Sequence, residues 1–317
     1  MPNSDYTKLN AQVSQIGDTL LMSQLETNLK TYLDWGLIGI GSFSNVSIPT
    51  SGAYGGTYDR LRLVNDPSYT LGQVWETPRK DWVWETGTEY TTQPTDVSGV
   101  YINGSLYTTG HADYGHHYNY PLGRVIFDSA INTSSRVQVN YAYRNVQTYV
   151  ADQAPWWQEI QYNSYRVENF IGSGEDRILA NHRVQLPAVV IEAVPQRTFR
   201  PYELGTLGQL VYQDVNFHII AESRWWRNQL LDIISFEKDK VIWLYDNNKI
   251  ADVTGYPLDF RGMTVRNPIM YSTLVGDKSN FRFKRAKYHN MVVTDMTAPT
   301  SRLYQGIARA TFEVIMA

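Results

Sequence analysis

The sequence predicts an α+β protein that is mostly β. Three observations lead there. A stripe of leucines near the N-terminus has helical spacing, and runs of β-forming residues separated by turn signals recur from about 95 to 195. After Pro201, strand patterns flank one amphipathic segment, and the chain closes on a strictly alternating run. At 317 residues the chain exceeds the usual size of one hydrophobic core and suggests about two domains.

Ile16, Leu20, Leu21, Leu25, Leu29 and Leu33 fall at spacings of mostly four and predict a helix over 10–35, with Gly36 where a C-cap would stand. Residues 1–36 are therefore read as an N-terminal helical arm. Residues 37–95 are read as long loops with short strands, because the stretch is rich in Gly, Ser, Thr, Asn and Pro, as in Ser51-Gly-Ala-Tyr-Gly-Gly56. A connection of that length is uncommon inside a compact domain, so it is expected to wrap the body or to gain order from neighbouring subunits.

Residues 96–200 predict an antiparallel β-sandwich module. Asn103-Gly104 lies between Val100-Tyr101-Ile102 and Leu106-Tyr107, and a type I′ turn needs positive φ at both central residues, so a tight hairpin is expected. Val137, Val139, Tyr141 and Tyr143 alternate with Arg136, Gln138, Asn140 and Ala142, which predicts one strand over 136–144 with one apolar face. Further strands are predicted at 124–127 and 184–194, and Pro187 marks the latter as an edge strand or a bulge.

Residues 201–317 predict a sheet with a helix packed on one face. Val215, Phe217, Ile219 and Ala221 alternate with polar neighbours. Ser223 then stands where it can cap a helix over 224–237 that carries Trp226, Leu230, Ile233 and Ile234 on one face. Val241–Tyr245 reads as a strand closed by Asp246-Asn-Asn, and Arg282–Lys287 as a strand with a solvated basic face. Ala308, Ala310, Phe312, Val314 and Met316 alternate in the last strand.

Composition excludes several classes. Net charge is −3 with no basic run, which argues against a nucleic-acid stripe or a polybasic membrane patch. The absence of cysteine excludes disulfide scaffolds, thiolate zinc sites and cysteine nucleophiles. Neither a signal-peptide pattern nor a run approaching the roughly 20 apolar residues of a membrane span is visible, so synthesis and folding in the cytosol are expected. The 23 tyrosines and 9 tryptophans suit surfaces buried against partners, although tyrosine also simply favours strands.

No catalytic signature emerges, and no catalytic, cofactor-binding or metal-binding residue is assigned. His111-Ala-Asp-Tyr-Gly-His-His117 gathers three of the six histidines and could offer ligands to a transition metal, but no two histidines share a helical i,i+4 or strand i,i+2 spacing. An ordinary polar loop is expected there. Glu76, Asp81, Glu85 and Asp96 near Trp75, Trp82 and Trp84 could supply the paired carboxylates of a glycosidase. Trp75, Trp82, Trp84, Trp156 and Trp157, if exposed, could stack on sugar rings. Gly172-Ser-Gly-Glu lacks the Lys-Ser/Thr of a phosphate loop, and no Gly-x-Ser-x-Gly elbow occurs.

The runs Val100-Tyr-Ile-Asn-Gly, Tyr120-Pro-Leu-Gly-Arg-Val-Ile-Phe-Asp-Ser and Val137-Gln-Val-Asn-Tyr-Ala-Tyr-Arg resemble a β-rich module of virion structural proteins of tailed bacteriophages. Asn216-Phe-His-Ile-Ile-Ala-Glu-Ser, the helix after it, Ile242-Trp-Leu-Tyr-Asp-Asn-Asn and Leu303-Tyr-Gln-Gly-Ile-Ala-Arg-Ala-Thr-Phe-Glu-Val-Ile look like the body and terminal strand of phage neck and tail-terminator proteins. The resemblance covers about two thirds of the chain, beyond residue 95. It implies a C-terminal domain of terminator type in a non-enzymatic structural subunit. Such a subunit would form a homo-oligomeric ring at the head-tail junction of a virion assembled in the bacterial cytoplasm. Its partners would be copies of itself and other neck, connector or tail proteins, with passive contact to DNA in the channel, no membrane and no cofactor. The competing expectations are a receptor- or glycan-binding module of a tail fibre or baseplate, and a carbohydrate hydrolase.

Overall fold

The computed structural model describes residues 21–48, 58–83, 90–120, 122–151, 185–201, 209–245, 281–300 and 303–316. Helix α1 (Leu21–Gly39) is followed by strands β1 (Phe43–Val46), β2 (Arg62–Leu63), β3 (Val74–Glu76), β4 (Trp82–Val83), β5 (Val100–Ile102), β6 (Ser105–Tyr107) and β7 (His116–Asn119). Next come β8 (Arg124–Phe127), β9 (Val137–Val139), β10 (Tyr141–Arg144), β11 (Gln147–Val150), β12 (Ala188–Pro201) and β13 (Gln209–Ala221). Helix α2 (Arg224–Ser235) leads into β14 (Val241–Tyr245), β15 (Phe281–Thr300) and β16 (Leu303–Met316). The protein is mostly β, its sheets are largely antiparallel, and it includes a curled, half-barrel sheet.

The largest sheet has six strands in the order β11-β12-β13-β16-β15-β14, and only its β11–β12 pair is parallel. The alternation read from sequence sets its faces. Val215, Phe217 and Ile219 of β13 join Ala308, Ala310, Phe312 and Val314 of β16 in one core with the leucines of α1 and with Leu230, Leu231 and Ile234 of α2. Burying a side chain such as Phe312 contributes about 1.5–3 kcal/mol, so these rows hold the sheet to its helices. Ser223 caps α2 as expected, its Oγ accepting from the Trp226 backbone N–H at 3.2 Å. The buried face of α2 is Arg227, Leu230, Leu231 and Ile234, with Trp226 and Ile233 half-buried at its margin. Gly306 of β16 permits this approach, since a Cβ there would stand 2.9 Å from Leu231 Cδ1.

Helix α1 is not an arm. Leu21, Leu25, Leu29, Leu33 and Leu37 belong to the core of the six-stranded sheet. The helix also runs past Gly36, because Leu37 and Ile38 continue its buried face. It ends in a Schellman motif at Gly41 (φ +89°), where Gly41 N–H donates to Ile38 O at 2.9 Å and Ser42 N–H to Leu37 O at 2.8 Å. The division expected at 200/201 falls inside this sheet, which takes in β11 and β12 from residue 147 onward. Pro187 immediately precedes β12, and Ala188–Ile191 lie between β11 and β13 instead of at an edge; the irregularity in β12 comes later, between Ala193 and Arg197. Ile16 and Leu20, Ser51–Gly56 and Asp246–Asn248 lie outside the described residues.

Three small sheets make up the β module: β1-β10-β4, β2-β3-β8-β7 and β6-β5-β9. They share one core containing Trp75, Trp82, Tyr118, Tyr120, Phe127 and Tyr141. The expected hairpin is present, with Asn103 at φ +52° and Gly104 at +93°. Asn103 Oδ1 also accepts from the Arg136 backbone N–H at 2.9 Å, which ties the turn to the next strand. The single strand expected over 136–144 is divided at Asn140, whose side-chain oxygen accepts from the Ile48 N–H at 2.6 Å. Val137–Val139 pair with β5, while Tyr141–Arg144 pair with β1 and β4. Serving two sheets buries both faces of this run, so Gln138 lies inside and donates to Asp59 Oδ2 at 2.7 Å. The short strands expected among the loops of 37–95 are β1, β2, β3 and β4, whereas the loop expected over His111–His117 enters strand β7 at His116.

Helix and module meet at a buried polar joint. Arg144 of β10 pairs with Asp34 of α1 at 2.7 Å, and Thr148 of β11 hydrogen-bonds the same carboxylate. Ile38 of α1 also packs with Phe43, Val83 and Ala142 of the module in a small apolar cluster.

Candidate functional site

The three histidines of the 111–117 segment are held apart by separate partners. His111 Nδ1 accepts from the Asp113 and Tyr114 backbone N–H groups at 3.2 and 3.3 Å, which makes the ring a local turn cap. His116 is buried in β7, with Nδ1 2.7 Å from Tyr114 O and Nε2 3.1 Å from the Tyr118 hydroxyl. Burial lowers its pKa, against the opposing pull of the Tyr114 carbonyl and Asp128. His117 lies 4.0 Å from Asp128. Among the described residues, no three His, Asp or Glu side chains converge on a point that could hold a metal ion.

The acidic and tryptophan candidates have structural partners. Glu76 accepts from Arg124 Nε at 2.8 Å and pairs with Lys80 at 3.3 Å; Arg124 also reaches Asp66 at 3.1 Å. Asp81 lies at the joint, where burial raises its carboxyl to about 6, Arg144 opposes the rise and Asp34 adds to it. Asp96 is exposed ahead of β5. Trp75 and Trp82 are 3% and 1% exposed, so neither offers a ring for sugar stacking. The Trp82 indole N–H donates to Thr77 Oγ1 and Arg79 O at 3.0 and 3.2 Å, and its ring lies 5.0 Å from Tyr141. Glu85, Trp84, Trp156, Trp157 and Gly172–Glu175 lie outside the described residues.

What composition did not reveal is the face of the six-stranded sheet turned away from the helices. A polar groove of about 310 Å³ runs across it, lined by residues of β12, β13, β15 and β16 that include Arg200, Tyr212, Asp214, His289, Arg309 and Thr311. Its signal in the sequence is the polar residues at even positions of β13 and odd positions of β16, such as Tyr212, Asp214, Arg309 and Thr311. Asp214 accepts from Thr311 Oγ1 at 2.7 Å and pairs with Arg309. Burial works to raise its carboxyl, but these hydrogen bonds and the Arg309 charge hold it below the usual range. The Arg200 guanidinium lies 5.4 Å from the Tyr212 ring centre, and the His289 ring meets the same tyrosine edge-on at 5.5 Å. Farther along β13, His218 contacts Glu192 at 2.9 Å, and burial lowers its pKa despite that carboxylate. The groove's charges meet one another and its tyrosine: Asp214 is paired with Arg309, and Arg200 and His289 lie against Tyr212.

The two sides of the same sheet are unlike its middle. β11 covers β12 only at Ala188–Ile191, and β14 covers β15 only at Phe281–Lys287. Beyond those points β12 from Arg197 to Pro201 and β15 from Asn290 to Met296 pair on one side only among the described residues. Both bare stretches carry exposed apolar side chains: Phe199 is 53% exposed, Val292 53% and Val293 44%. Natural sheets guard open edges with lysine, proline or short strands, and the Met291-Val-Val-Thr294 stretch of β15 has none of these. Among the described residues, no helix is long and apolar enough to cross a membrane. The chain matches no known family model and no curated protein sequence.

Proposed function

We propose that the protein is a non-enzymatic structural subunit of a tailed-bacteriophage virion, assembling head to tail into a ring in the neck or upper tail that joins head and tail. The observation that carries this reading is the pair of strand edges, on opposite sides of one sheet, that have no partner strand among the described residues. Two different edges, each on its own side, are what a heterologous contact needs if every subunit is to bind two neighbours through unlike surfaces. Backbone N–H and C=O groups that meet no partner strand among the described residues, beside exposed Phe199, Val292 and Val293, supply both backbone bonding and apolar area for such a contact. The phage setting rests on the resembling segments around Val100, Tyr120, Val137, Asn216, Ile242 and Leu303. Burial of Trp75 and Trp82 and the pairing of Glu76 with Arg124 weigh against the sugar-binding and hydrolase alternatives.

Mass photometry of the purified protein and reconstruction of its parent particle test the reading together. A closed ring between head and tail is the expected result. A protein that stays monomeric and is absent from virions, or one that sits in a distal trimeric fibre, overturns it.

A further inference from the structure

We infer that strand β12 of one copy pairs antiparallel with strand β15 of the next, with Phe199 opposite Val293, so that a continuous β-sheet runs from subunit to subunit. The inference deepens the ring reading above by naming the contact that builds the ring.

Strand direction comes first. Along β12-β13-β16-β15 every neighbouring pair is antiparallel, so β12 and β15 run in opposite senses. A neighbour related by rotation about a ring axis keeps its strand senses. It therefore brings β12 alongside β15 in antiparallel fashion, the arrangement in which perpendicular ladder bonds form.

The two edges also have complementary outlines. On β15 the bare stretch begins after the segment covered by β14; on β12 it ends where β11 begins. Setting Phe199 opposite Val293 aligns β12 residues 192–201 with β15 residues 300–291. In that register β14 of one copy falls beyond the Pro201 end of its neighbour's β12, and the neighbour's β11 falls beyond the Thr300 end of β15. The short outer strands thus bracket the joint on either side instead of colliding with it.

Side-chain chemistry agrees with the same register. Phe199 lies in the row of Val211 and Val293 in the row of Ala308, and both of those partners are fully buried on the helix-bearing side. Phe199 and Val293 therefore project on one face and cover each other. On the other face Arg200, whose guanidinium lies near the Tyr212 ring, comes level with Val292 and can lay its aliphatic stem over it. Arg197 comes level with position 295, where the sequence has aspartate. Pairing β12 with a second β12 would set arginine near arginine instead.

The offset between the edges has a geometric use. The row of Phe199 crosses β16 at Val314, six residues from Ala308 in the row of Val293; the bulge between Tyr288 and Asn290 absorbs one residue of β15. At about 3.3 Å per residue the joint shifts neighbours by roughly 20 Å along the strands, against roughly 19 Å across four strands. Subunits then stay level around the ring if the strands tilt by roughly 46° from its axis, close to the inclination of about 35–45° that closed β-barrels adopt. A flat, untilted sheet would instead climb with each added copy.

The absence of native cysteine makes the joint directly testable. Chains carrying Thr198→Cys are mixed with chains carrying Thr294→Cys, positions that this register sets opposite, and are oxidised both as purified protein and in the parent particle. Opposed strand residues lie within the Cα separation that a disulfide spans. Disulfide-linked dimers are expected in the mixture and not with either variant alone, and a chain carrying both changes should give a ladder of linked oligomers. The pairing is overturned if Thr294→Cys chains crosslink by themselves, which would mean a two-fold β15–β15 contact. It is also overturned if no mixture crosslinks while Val293→Lys leaves the oligomer mass unchanged; a ring still seen by imaging would then stand on some other contact. A ladder from a protein that is absent from virions would keep the strand pairing and sink only the phage assignment.

Discussion

The β module between Phe43 and Arg144 and the six-stranded sheet dispose of their strands in opposite ways. Module strands are two to four residues long, and the run through β9 and β10 is shared between two sheets, so Val137, Gln138 and Val139 are all buried. The central strands of the large sheet run 13 to 20 residues, with helices on one face, a polar groove on the other and, among the described residues, an uncovered edge at each side. Short strands that divide between sheets leave little backbone to pair with a stranger, whereas long strands flanked by short ones leave much. Among the described residues, the module strands are thus paired within one chain, while two long strands of the sheet keep stretches without a partner. Stability is expected to reside in the two cores and assembly in the sheet's edges.

The largest effect should come from the strand at the centre of the sheet. Deleting residues 308–317 removes Ala308, Ala310, Phe312 and Val314 from between β13 and β15, and soluble folding should be lost. Removing residues 1–39 should do the same, because α1 covers that core. For a variant that still folds, Phe312→Ala is expected to cost about 3–5 kcal/mol in chemical denaturation. A truncated chain with an unchanged melting curve would show that the sheet is not held together through its middle.

The module offers the matching measurement. Trp82→Ala removes a ring packed against Tyr118, Tyr120 and Tyr141 together with its donor to Thr77. A loss of about 3–5 kcal/mol is expected, as for the sheet core. A loss below about 1 kcal/mol would mean that the module borrows its order from elsewhere, and the contrast drawn above would fail.

The joint between the two regions should respond to pH. Burial raises the Asp81 carboxyl to about 6 from the ordinary 3.8, with Arg144 opposing and Asp34 adding. An acid whose folded value exceeds its unfolded value binds its proton more tightly when folded, so its effect on stability becomes more favourable as pH falls from about 7 toward 4. Asp81 keeps partial contact with solvent, and the swing is expected to be roughly 1–3 kcal/mol. Asp214 runs the other way: its lowered carboxyl contributes stability that is lost as pH falls through its folded value. Subtracting the pH–stability curve of Asp81→Asn from that of the parent isolates the joint. A difference that is flat between pH 4 and 7 would remove the joint as a source of pH response.

Much of this architecture was legible because local chemistry and tertiary packing agree. Asn103-Gly104 can adopt positive φ wherever it stands, Ser223 caps whichever helix follows it, and the alternation of Ala308 to Val314 admits one buried face. What misled was context that no local window contains. Gly36 looked like a helix end, yet Leu37 and Ile38 had a core to reach, and Gly41 took the turn. Gln138 alternates as a polar residue should on a solvated face, yet the chain segment ahead of β2 supplies Asp59 as its buried acceptor. Trp82, beside three acids in sequence, looked like a binding surface and is an interior anchor. The bare edges were invisible for a related reason, since a strand's sequence does not show how long its neighbours are.

The smallest expected change in stability is also the one that most sharpens the contrast. Val292 is 53% exposed on the uncovered stretch of β15, so Val292→Lys removes little buried area and introduces a charge that water can solvate. Denaturation of the separated subunit should shift by no more than about 0.5 kcal/mol, as surface substitutions do. Assembly should respond quite differently, because a lysine on an open edge is the device by which sheets refuse further strands. Mass photometry of this variant beside the parent reads both regions at once. An unchanged fold with lost oligomers places association in the edge, whereas a stability loss near that of Trp82→Ala would mean that β15 is buried in its own chain and has no edge to offer.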